Sequence, residues 1–293
     1  MQTKLIVSLS LVVIFAFSAS VIEGCSSSST NNYYYYPNWT PDGKILCSKN
    51  RQVRTSGSGA FGGSGGSVSN NYSLTIMDID GTNETDLKSI GNSAHVAASP
   101  LGNYFAYAEI EQNYITVVDT SGNEINKIDC GNWVDSLDWN PDETRLVFGI
   151  KTSSTSEVYV VDRDGSNKIF LTNGENVAWL YGSRIFFMFL SDIYYYMGSI
   201  AADGSSFRNF GDNSLSSPQI LSSSTNTCYG KASNAYRKLE ISSTSEVETV
   251  LFSPFNGYLP KLSVDGSKLV YGANDSAEMW VINVDGSGEQ QIK

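Results

Sequence analysis

The sequence predicts an all-β protein built from repeated antiparallel units, and three observations carry this prediction. The 293 residues include 26 Gly and 17 Tyr but only 17% charged residues, a composition that favours short strands and turns over helices. A turn followed by an apolar strand recurs about every 41 residues. Within most of these units a later strand ends in Asp-Gly, which tolerates the positive φ of a tight hairpin.

The first repeated marker is a turn followed by an apolar strand. It occurs at Pro41–Cys47, Pro100–Tyr107, Pro141–Phe148, Tyr181–Phe187 and Val264–Tyr271. The spacing from Pro100 to Pro141 is 41 residues and from Pro141 to Tyr181 is 40, whereas Val264 follows 83 residues later. That last interval equals two units, and we assign Ser222–Gly230 as a degenerate copy between them.

The second marker is a strand that ends in an Asp-Gly hairpin, after which a fourth short strand follows. Its copies are Ile76–Gly81, Val160–Gly165, Ile200–Gly204 and Val281–Gly286. A four-stranded meander of this size cannot cover both of its apolar faces, and repeats of about 40 residues are typical of β-propeller blades. The sequence therefore predicts a six-bladed β-propeller of four-stranded antiparallel blades. The predicted blades are 33–91, 92–131, 132–174, 175–213, 214–252 and 253–293.

A Gly/Ser-rich insertion, 55–71, lengthens the first unit. It is polar and glycine-rich, so we expect a loop between the second and third strands of blade one. The stretch Gly57–Gly62 matches a dinucleotide-binding G-x-G-x-x-G, and Gly62–Gly66 matches the G-x-S-x-G of hydrolase elbows. Neither match is followed by helical periodicity, so we interpret both as parts of the loop.

The N-terminus has the pattern of an export signal. One positive charge in Met1–Lys4 precedes the apolar run Leu5–Ala19, as in a secretory signal peptide, which we place at 1–24. The sequence Val21–Cys25 resembles a bacterial lipobox, although Glu23 departs from its usual pattern, and this resemblance implies lipidation of Cys25. Ordinary secretion and an uncleaved membrane anchor are the alternatives. Residues 25–32 are predicted to be a flexible Ser-rich tether, with the domain at 33–293.

The segment Pro37–Leu46 resembles the P-x-W-S-P-D-G-K-x-I repeat, a WD40-like repeat, of TolB-like six-bladed propellers. Related copies stand at Asp138–Asp142 and Pro260–Gly266. The resemblance covers the chain after the tether and implies the propeller fold. It implies little about function, because propellers with this repeat occur in binding proteins, peptidases and lyases.

Charge and composition limit the possible functions. The net charge of −11 repels a phosphate backbone, so we expect no nucleic-acid partner and favour a basic or neutral one. A single histidine, His95, excludes a multi-histidine metal centre. We predict no metal and no cofactor, and we interpret Asp80 and Asp164 as turn residues rather than calcium ligands. Cys47, Cys130 and Cys228 lack metal spacing and are expected to be buried thiols.

Candidate contact residues lie where the last strand of one blade leads to the first strand of the next. We expect these connections to be loops around the channel mouth, spanning 92–96, 131–136, 173–177, 212–216 and 255–258. The predicted binding residues in them are His95, Trp133, Asp135, Glu175, Asn176, Asp212 and Tyr258. His95 could be a general base, but a structural role is the preferred interpretation.

Other aromatic residues are assigned to the core. Trp39, Trp139 and Trp179 recur at equivalent positions of the inner strands and are predicted to pack in the core. Trp133 lies outside that register and is the better candidate for an exposed contact. The run Tyr33–Tyr36 could form a stacking surface, but a strand with alternating inward and outward side chains is the preferred interpretation.

The sequence as a whole predicts a lipid-anchored bacterial envelope protein, at the outer membrane and periplasm or at the cell surface. We expect a monomeric, non-catalytic scaffold that binds an envelope protein or peptide, or a glycan. The alternative is an enzyme that acts on envelope glycans or peptides through channel-facing carboxylates. No catalytic residue is assigned.

Overall fold

The computed structural model describes residues 27–58, 64–179, 183–191, 194–210, 227–232, 235–241, 246–253, 257–263, 265–273 and 278–293. The predicted signal peptide and Cys25 lie outside the described residues. Among the described residues, no helix is long and apolar enough to cross a membrane.

The described chain forms antiparallel sheets whose strands follow one another in chain order. The first sheet contains β1 (Ser27–Trp39), β2 (Ile45–Ser58), β3 (Ser64–Met77) and β4 (Thr85–Ile90). The second contains β5 (Ala94–Ala98), β6 (Tyr104–Glu109), β7 (Tyr114–Asp119) and β8 (Glu124–Asp129). The third contains β9 (Trp133–Trp139), β10 (Arg145–Lys151), β11 (Ser156–Asp162) and β12 (Ile169–Asn173).

The remaining sheets continue the same pattern with one exception. The fourth contains β13 (Glu175–Trp179), β14 (Arg184–Ser191), β15 (Tyr194–Ala201) and β16 (Arg208–Asn209). The next has only three described strands, β17 (Thr227–Ala232), β18 (Ala235–Ile241) and β19 (Glu246–Phe252). The last contains β20 (Gly257–Leu262), β21 (Lys268–Ala273), β22 (Met279–Asn283) and β23 (Gln290–Gln291).

The architecture is an all-β propeller of four-stranded antiparallel blades, as predicted, but the predicted count of six such blades is wrong. The described residues contain five four-stranded blades, and a three-stranded sheet takes the place of the predicted blade 214–252. The sequence signal is weakest in this segment. No Asp-Gly pair occurs between Asp203-Gly204 and Asp265-Gly266 to mark a hairpin, so the predicted blade depended on spacing and on a degenerate copy of the turn marker.

Successive residues of the second strands pack into different cores, because a strand points its side chains alternately to its two faces. Leu146, Phe148 and Ile150 of β10 join the core shared with the second blade. Val147 joins the core shared with the fourth blade. The third blade therefore buries both faces against its neighbours, which explains the almost continuous apolar run of β10 after its turn.

The predicted tryptophan core is confirmed. Trp39, Trp139 and Trp179 are 4%, 1% and 5% exposed. The indole Nε1 of Trp139 donates a hydrogen bond to the carbonyl of Ala97 in the preceding blade (3.2 Å), and that of Trp39 donates to the carbonyl of Lys261 in the last blade (2.8 Å). These bonds fix neighbouring inner strands to each other.

The ring closes by packing between the first and last blades. A core joins Trp39, Ile45 and Met77 of the first sheet to Val270 and Val281 of the last. The turn at Gly81, with φ +78°, lies so close to the last blade that a Cβ there would be 2.2 Å from the carbonyl oxygen of Ile292. In the described residues, each of the two sheets consists of its own consecutive strands, so no strand is exchanged between them.

Two predicted flexible segments are strands instead. Ser27–Asn32, predicted as part of the tether, belongs to β1 and pairs with β2 from Ser27↔Ser56 to Asn32↔Arg51. The predicted loop 55–71 continues the β2–β3 hairpin, paired as far as Ser58↔Ser64. Because backbone hydrogen bonds need no apolar side chains, a hairpin can extend through a Gly/Ser-rich sequence. We call residues 27–32, 51–58 and 64–71 the N-terminal ribbon.

The remaining local predictions are confirmed where the structure describes them. Tyr33–Tyr36 lies in β1, and Tyr34 is buried. Cys47 and Cys130 are buried free thiols. The side chain of Cys228 is not among those that the structure describes. Asp80 and Asp164 accept hydrogen bonds from the backbone N–H of the residue two positions on, Thr82 and Ser166 respectively, as turn residues do.

Candidate functional site at the channel mouth

The candidate contact residues lie in strands rather than in the predicted loops. His95 belongs to β5, Trp133 and Asp135 to β9, and Glu175 and Asn176 to β13. The connections from the preceding outer strands span only one to three residues, so each inner strand begins pairing at once. Tyr258 lies in β20, but its side chain is not described, and Asp212 lies outside the described residues.

The strand register brings several of these residues to one level of the channel. His95 pairs with Ala108, Ser136 with Gly149 and Glu175 with Met188. These pairs occupy the same place in their blades: counted along the second strand, Ala108, Gly149 and Met188 each lie three residues after the pair nearest the turn marker. The level lies near the N-terminal ends of the inner strands, and this end of the channel is called the channel mouth below.

Bulges redirect side chains at this level. β9 has a register shift that leaves Asp135 as the extra residue between Val134 and Ser136. β13 has its shift between Glu175 and Ala178, where Asn176 adopts φ 54°. β1 has a similar shift with Tyr36 at φ 52°. An extra residue bends the strand and re-aims a side chain, so these bulges decide which groups face the channel.

His95 is half-buried and packs against Tyr36 from the first blade. Their ring centroids are 4.1 Å apart, with an interplanar angle of 42°. Burial, together with the positive charges of Lys261 and Lys151, lowers the pKa of His95 to about 3. The imidazole is therefore neutral at pH 7, and the pair presents an uncharged aromatic surface at the mouth.

Asp135 lies among charged groups of both signs. Burial raises the pKa of its carboxyl group, with a further contribution from the charge of Glu175, while Ser136 and Lys151 oppose the rise. The hydroxyl of Ser136 donates to Asp135 Oδ1 at 2.8 Å. Gly149 makes room for this pair, since a Cβ there would lie 2.5 Å from Asp135 Oδ1.

Asp138 joins two blades one level deeper in the channel. Its Oδ2 accepts a hydrogen bond from the backbone N–H of Trp179 (2.8 Å), and its Oδ1 accepts one from the N–H of Trp139 (2.9 Å). Burial raises the pKa of this carboxyl group, and the charge of Lys261 opposes the rise. Asn38 has the equivalent position in β1 and donates to the carbonyl of Val96 (3.2 Å). Asp138 is thus in part a structural link between blades.

The remaining candidates differ in exposure and partners. Trp133 is 39% exposed at the start of β9, where it pairs with Lys151. Glu175 Oε2 accepts a hydrogen bond from Ser156 (3.2 Å). Asn176 Nδ2 contacts the sulfur of Met188 at 3.4 Å.

Sequence reasoning missed four residues of the channel, Tyr36, Asp138, Lys151 and Lys261. Tyr36 and Lys261 lie at or next to a bulge of an inner strand, Asp138 lies in β9 beyond its bulge, and Lys151 of β10 pairs with Trp133. Matching the blades by their turn markers would have aligned Asn38, Asp138 and Lys261 as one tier. The bulges could not have been found this way, because they have no sequence signal here.

The site combines neutral aromatic rings with carboxylates and amines. Within the described part of the chain, no group of three or more His, Cys, Asp or Glu side chains is arranged to hold a metal ion. The arrangement can accept hydrogen bonds at Asp135 and Glu175, donate them from Lys151 and Lys261, and stack a planar or apolar group on Trp133.

Comparison with known proteins identifies the fold. No protein-family model and no curated protein matches the chain. Among solved structures, the chain is similar to the one described as TolB from Agrobacterium tumefaciens, with 13% identity, a TM-score of 0.57, and coverage of 72% of this chain and 84% of that one.

Two further similar structures have quite different functions. One belongs to a mitotic checkpoint complex (14% identity, TM-score 0.53, covering 94% and 97% of the two chains). The other is an oligogalacturonate lyase in complex with manganese (17% identity, TM-score 0.50, covering 91% and 78%). At these identities the likeness extends to the fold, and it shows the chain to be a β-propeller.

Proposed function

We propose that this protein is a non-catalytic, protein-binding β-propeller of the bacterial cell envelope, and that the channel mouth is its recognition surface. The observation that carries the proposal is that groups from the first four blades lie at one end of the channel. They are Trp133, Asp135, Glu175 and the Tyr36–His95 pair. Trp and Tyr are enriched in interface hot spots. The TolB-like and checkpoint-complex propellers support a binding role by analogy.

The chemistry of the mouth favours a protein or peptide ligand. Both carboxylates and amines lie at it, so a segment with both charge types can be paired, and the aromatic groups can cover an apolar side chain. The net charge of −11 favours basic segments among these and predicts that association slows as salt rises. We propose that the protein is a monomer.

Binding is tested by affinity capture from solubilised envelope with a bait that begins at Ser27, since β1 begins there. The variant is Trp133→Ala/Asp135→Asn. The control is Leu101→Ala, which removes a 65% exposed side chain at the opposite end of the channel. We expect a protein that the variant loses and the control retains, with at least about 30-fold weaker affinity for the variant when purified. Equal affinity for all three baits would refute the site.

The proposal includes a membrane anchor at Cys25. The lipobox-like sequence Val21–Cys25 after an apolar run supports it. Expression in a bacterium with a clickable fatty acid should label the wild type and leave Cys25→Ala unlabelled. Labelling of both or neither would contradict lipidation at Cys25.

A second candidate function is hydrolysis or elimination on envelope glycans or peptides. It is favoured by the raised pKa of Asp135 and Asp138, because perturbed carboxyl groups often mark acid–base sites. Turnover of an envelope polysaccharide that Asp135→Asn abolishes in a folded protein would establish it. Turnover that is absent, or equal in wild type and variant, would count against it.

A further inference from the structure

The N-terminal ribbon makes the first blade much longer than the others. Its strands β1, β2 and β3 have 13, 14 and 14 residues, whereas no other described strand exceeds 8. β4 accompanies β3 only as far as the pair Tyr72↔Ile90, so residues 64–71 extend beyond the blade. The six residues Ser27–Asn32 alone add about 20 Å at the usual rise of a strand.

The ribbon extends from the channel mouth and not from the opposite face. Tyr35 pairs with Ser48 in the first blade as His95 pairs with Ala108 in the second, so the two residues lie at the same level. From Tyr35 the strand runs back to Ser27 over eight residues, or about 26 Å. The turns at Gly43 and Gly102 lie at the other ends of these inner strands.

The ribbon also differs from the rest of the chain in charge. The protein as a whole carries a net charge of −11, but the ribbon contains Arg51 and Arg54 and no Asp or Glu. Both arginines are exposed, and Arg54 Nε donates to Gln52 at 2.8 Å. An isolated cationic segment on an acidic protein is suited to an anionic surface.

We propose that the ribbon is a stalk whose far end contacts the anionic headgroups of the anchoring membrane, so that the channel mouth faces the bilayer. This inference rests on the proposed lipidation of Cys25. Only two residue steps separate Cys25 from Ser27, which is at most about 7 Å of chain. The strand therefore leaves the anchor almost directly, and the mouth lies about 26 Å further along it.

The stalk restricts what the mouth can bind. A ligand must reach the space between the propeller and the membrane, a gap of about 20–26 Å that admits an extended segment or a small domain. The partner that fits is the membrane-proximal part of another envelope protein. A large soluble protein would meet the opposite face first.

Orientation is tested with the lipidated full-length protein in vesicles of phosphatidylcholine and phosphatidylglycerol that carry a headgroup-linked nitroxide quencher. A fluorophore is placed at Ser56→Cys on the ribbon or at Ser121→Cys in a turn at the opposite end, both in a Cys228→Ser background. Ser56 and Ser121 are exposed, while Cys47 and Cys130 are buried. We expect at least threefold stronger quenching at Ser56. Equal quenching, or stronger quenching at Ser121, would overturn the inference.

The headgroup contact is tested separately by adding Arg51→Gln/Arg54→Gln to the protein that carries the fluorophore at Ser56→Cys. We expect its quenching to fall at least twofold, and the control Lys88→Gln/Lys127→Gln on the outer strands to leave it unchanged. An equal fall in quenching in both variants would overturn the contact.

Mass spectrometry of the same preparation distinguishes the proposed lipid anchor from the proposed orientation. Unmodified Cys25 would refute the anchor and this inference together, whereas modified Cys25 with equal quenching would refute only the orientation.

Discussion

Replacing Lys49 with methionine should destabilise the propeller at the junction of its first and last blades. Lys49 Nζ lies 2.7 Å from both Glu84 Oε1 and Asp86 Oδ1, and its side chain is only 8% exposed. Glu84 Oε2 in turn lies 2.7 Å from Lys293 Nζ of the last blade. Methionine keeps most of the apolar stem but removes the charge, so the two carboxylates lose their shared cation.

The magnitude follows from the exposure of the partners. Removal of one member of a fully buried ion pair costs about 3–5 kcal/mol. Asp86 is 50% exposed and Glu84 keeps Lys293 and the hydroxyl of Tyr34 (2.9 Å), so water and these partners recover part of the loss. We expect a decrease of about 2–3 kcal/mol in the free energy of unfolding, or about 5–8 °C in Tm for a chain of this size.

Thermal unfolding followed by circular dichroism measures the effect. The matched control is Lys88→Met, because Lys88 lies 3.8 Å from Glu124 in a pair that is much more exposed than the Lys49 pairs, and pairs near the surface contribute less than about 1 kcal/mol. A double variant that also carries Asp86→Asn should recover part of the loss, because Glu84 keeps Lys293 and no carboxylate of the network is then left without a cation. If Lys49→Met lowers Tm no more than Lys88→Met does, the buried network does not stabilise the closure.

Three further changes test the ring and the mouth. Gly81→Ala should lower the free energy of unfolding in urea by about 2–4 kcal/mol, because it combines a positive φ with a clash against the last blade. The control Gly266→Ala, which has a positive φ but nothing within 4 Å of the added Cβ, should lower it by about 1 kcal/mol. Equal losses would contradict the close approach of Gly81 to the last blade. His95 has a pKa of about 3 in the folded protein against 6.5 for an unperturbed imidazole, so the unfolded state takes up its proton first and stability falls by up to about 1.4 kcal/mol per unit as pH drops from 6.5 towards 3. His95→Asn should remove that part of the slope, and an unchanged slope would refute the assignment. Trp139→Phe should cost about 2 kcal/mol by losing its bond to the Ala97 carbonyl, which a chemical denaturation series would detect.

The fold was largely predictable because it is encoded in turns. Residues such as Gly81 and Gly165 have positive φ at the predicted hairpins, and Trp39 and Trp139 occupy the predicted core positions. The blade count failed at 214–252, where the sequence offers only a degenerate copy of the turn marker and no Asp-Gly pair. The ribbon was missed because its Gly/Ser-rich strands pair through their backbones and show no apolar alternation.

The site was predictable only in part. The connections between blades predicted that His95, Asp135 and Glu175 would lie at one end of the channel, and the structure places them there; that they bind a ligand stays a prediction. Lys151 and Lys261 were missed, because their proximity to these groups depends on how blades far apart in sequence pack around the ring. The buried position of Lys49 depends likewise on Glu84 and Asp86, more than 30 residues away.

The long pairing of β1 with β2 also determines how the protein would bear mechanical load. Tension applied at Ser27, in line with β1, acts along the strand, so the hydrogen bonds from Ser27↔Ser56 onwards are loaded together in shear instead of being opened one at a time. Trp39 at the far end of the strand passes the load to the last blade through its bond to Lys261. Force applied through a bound partner would therefore be distributed across the junction of the first and last blades rather than concentrated on one hairpin.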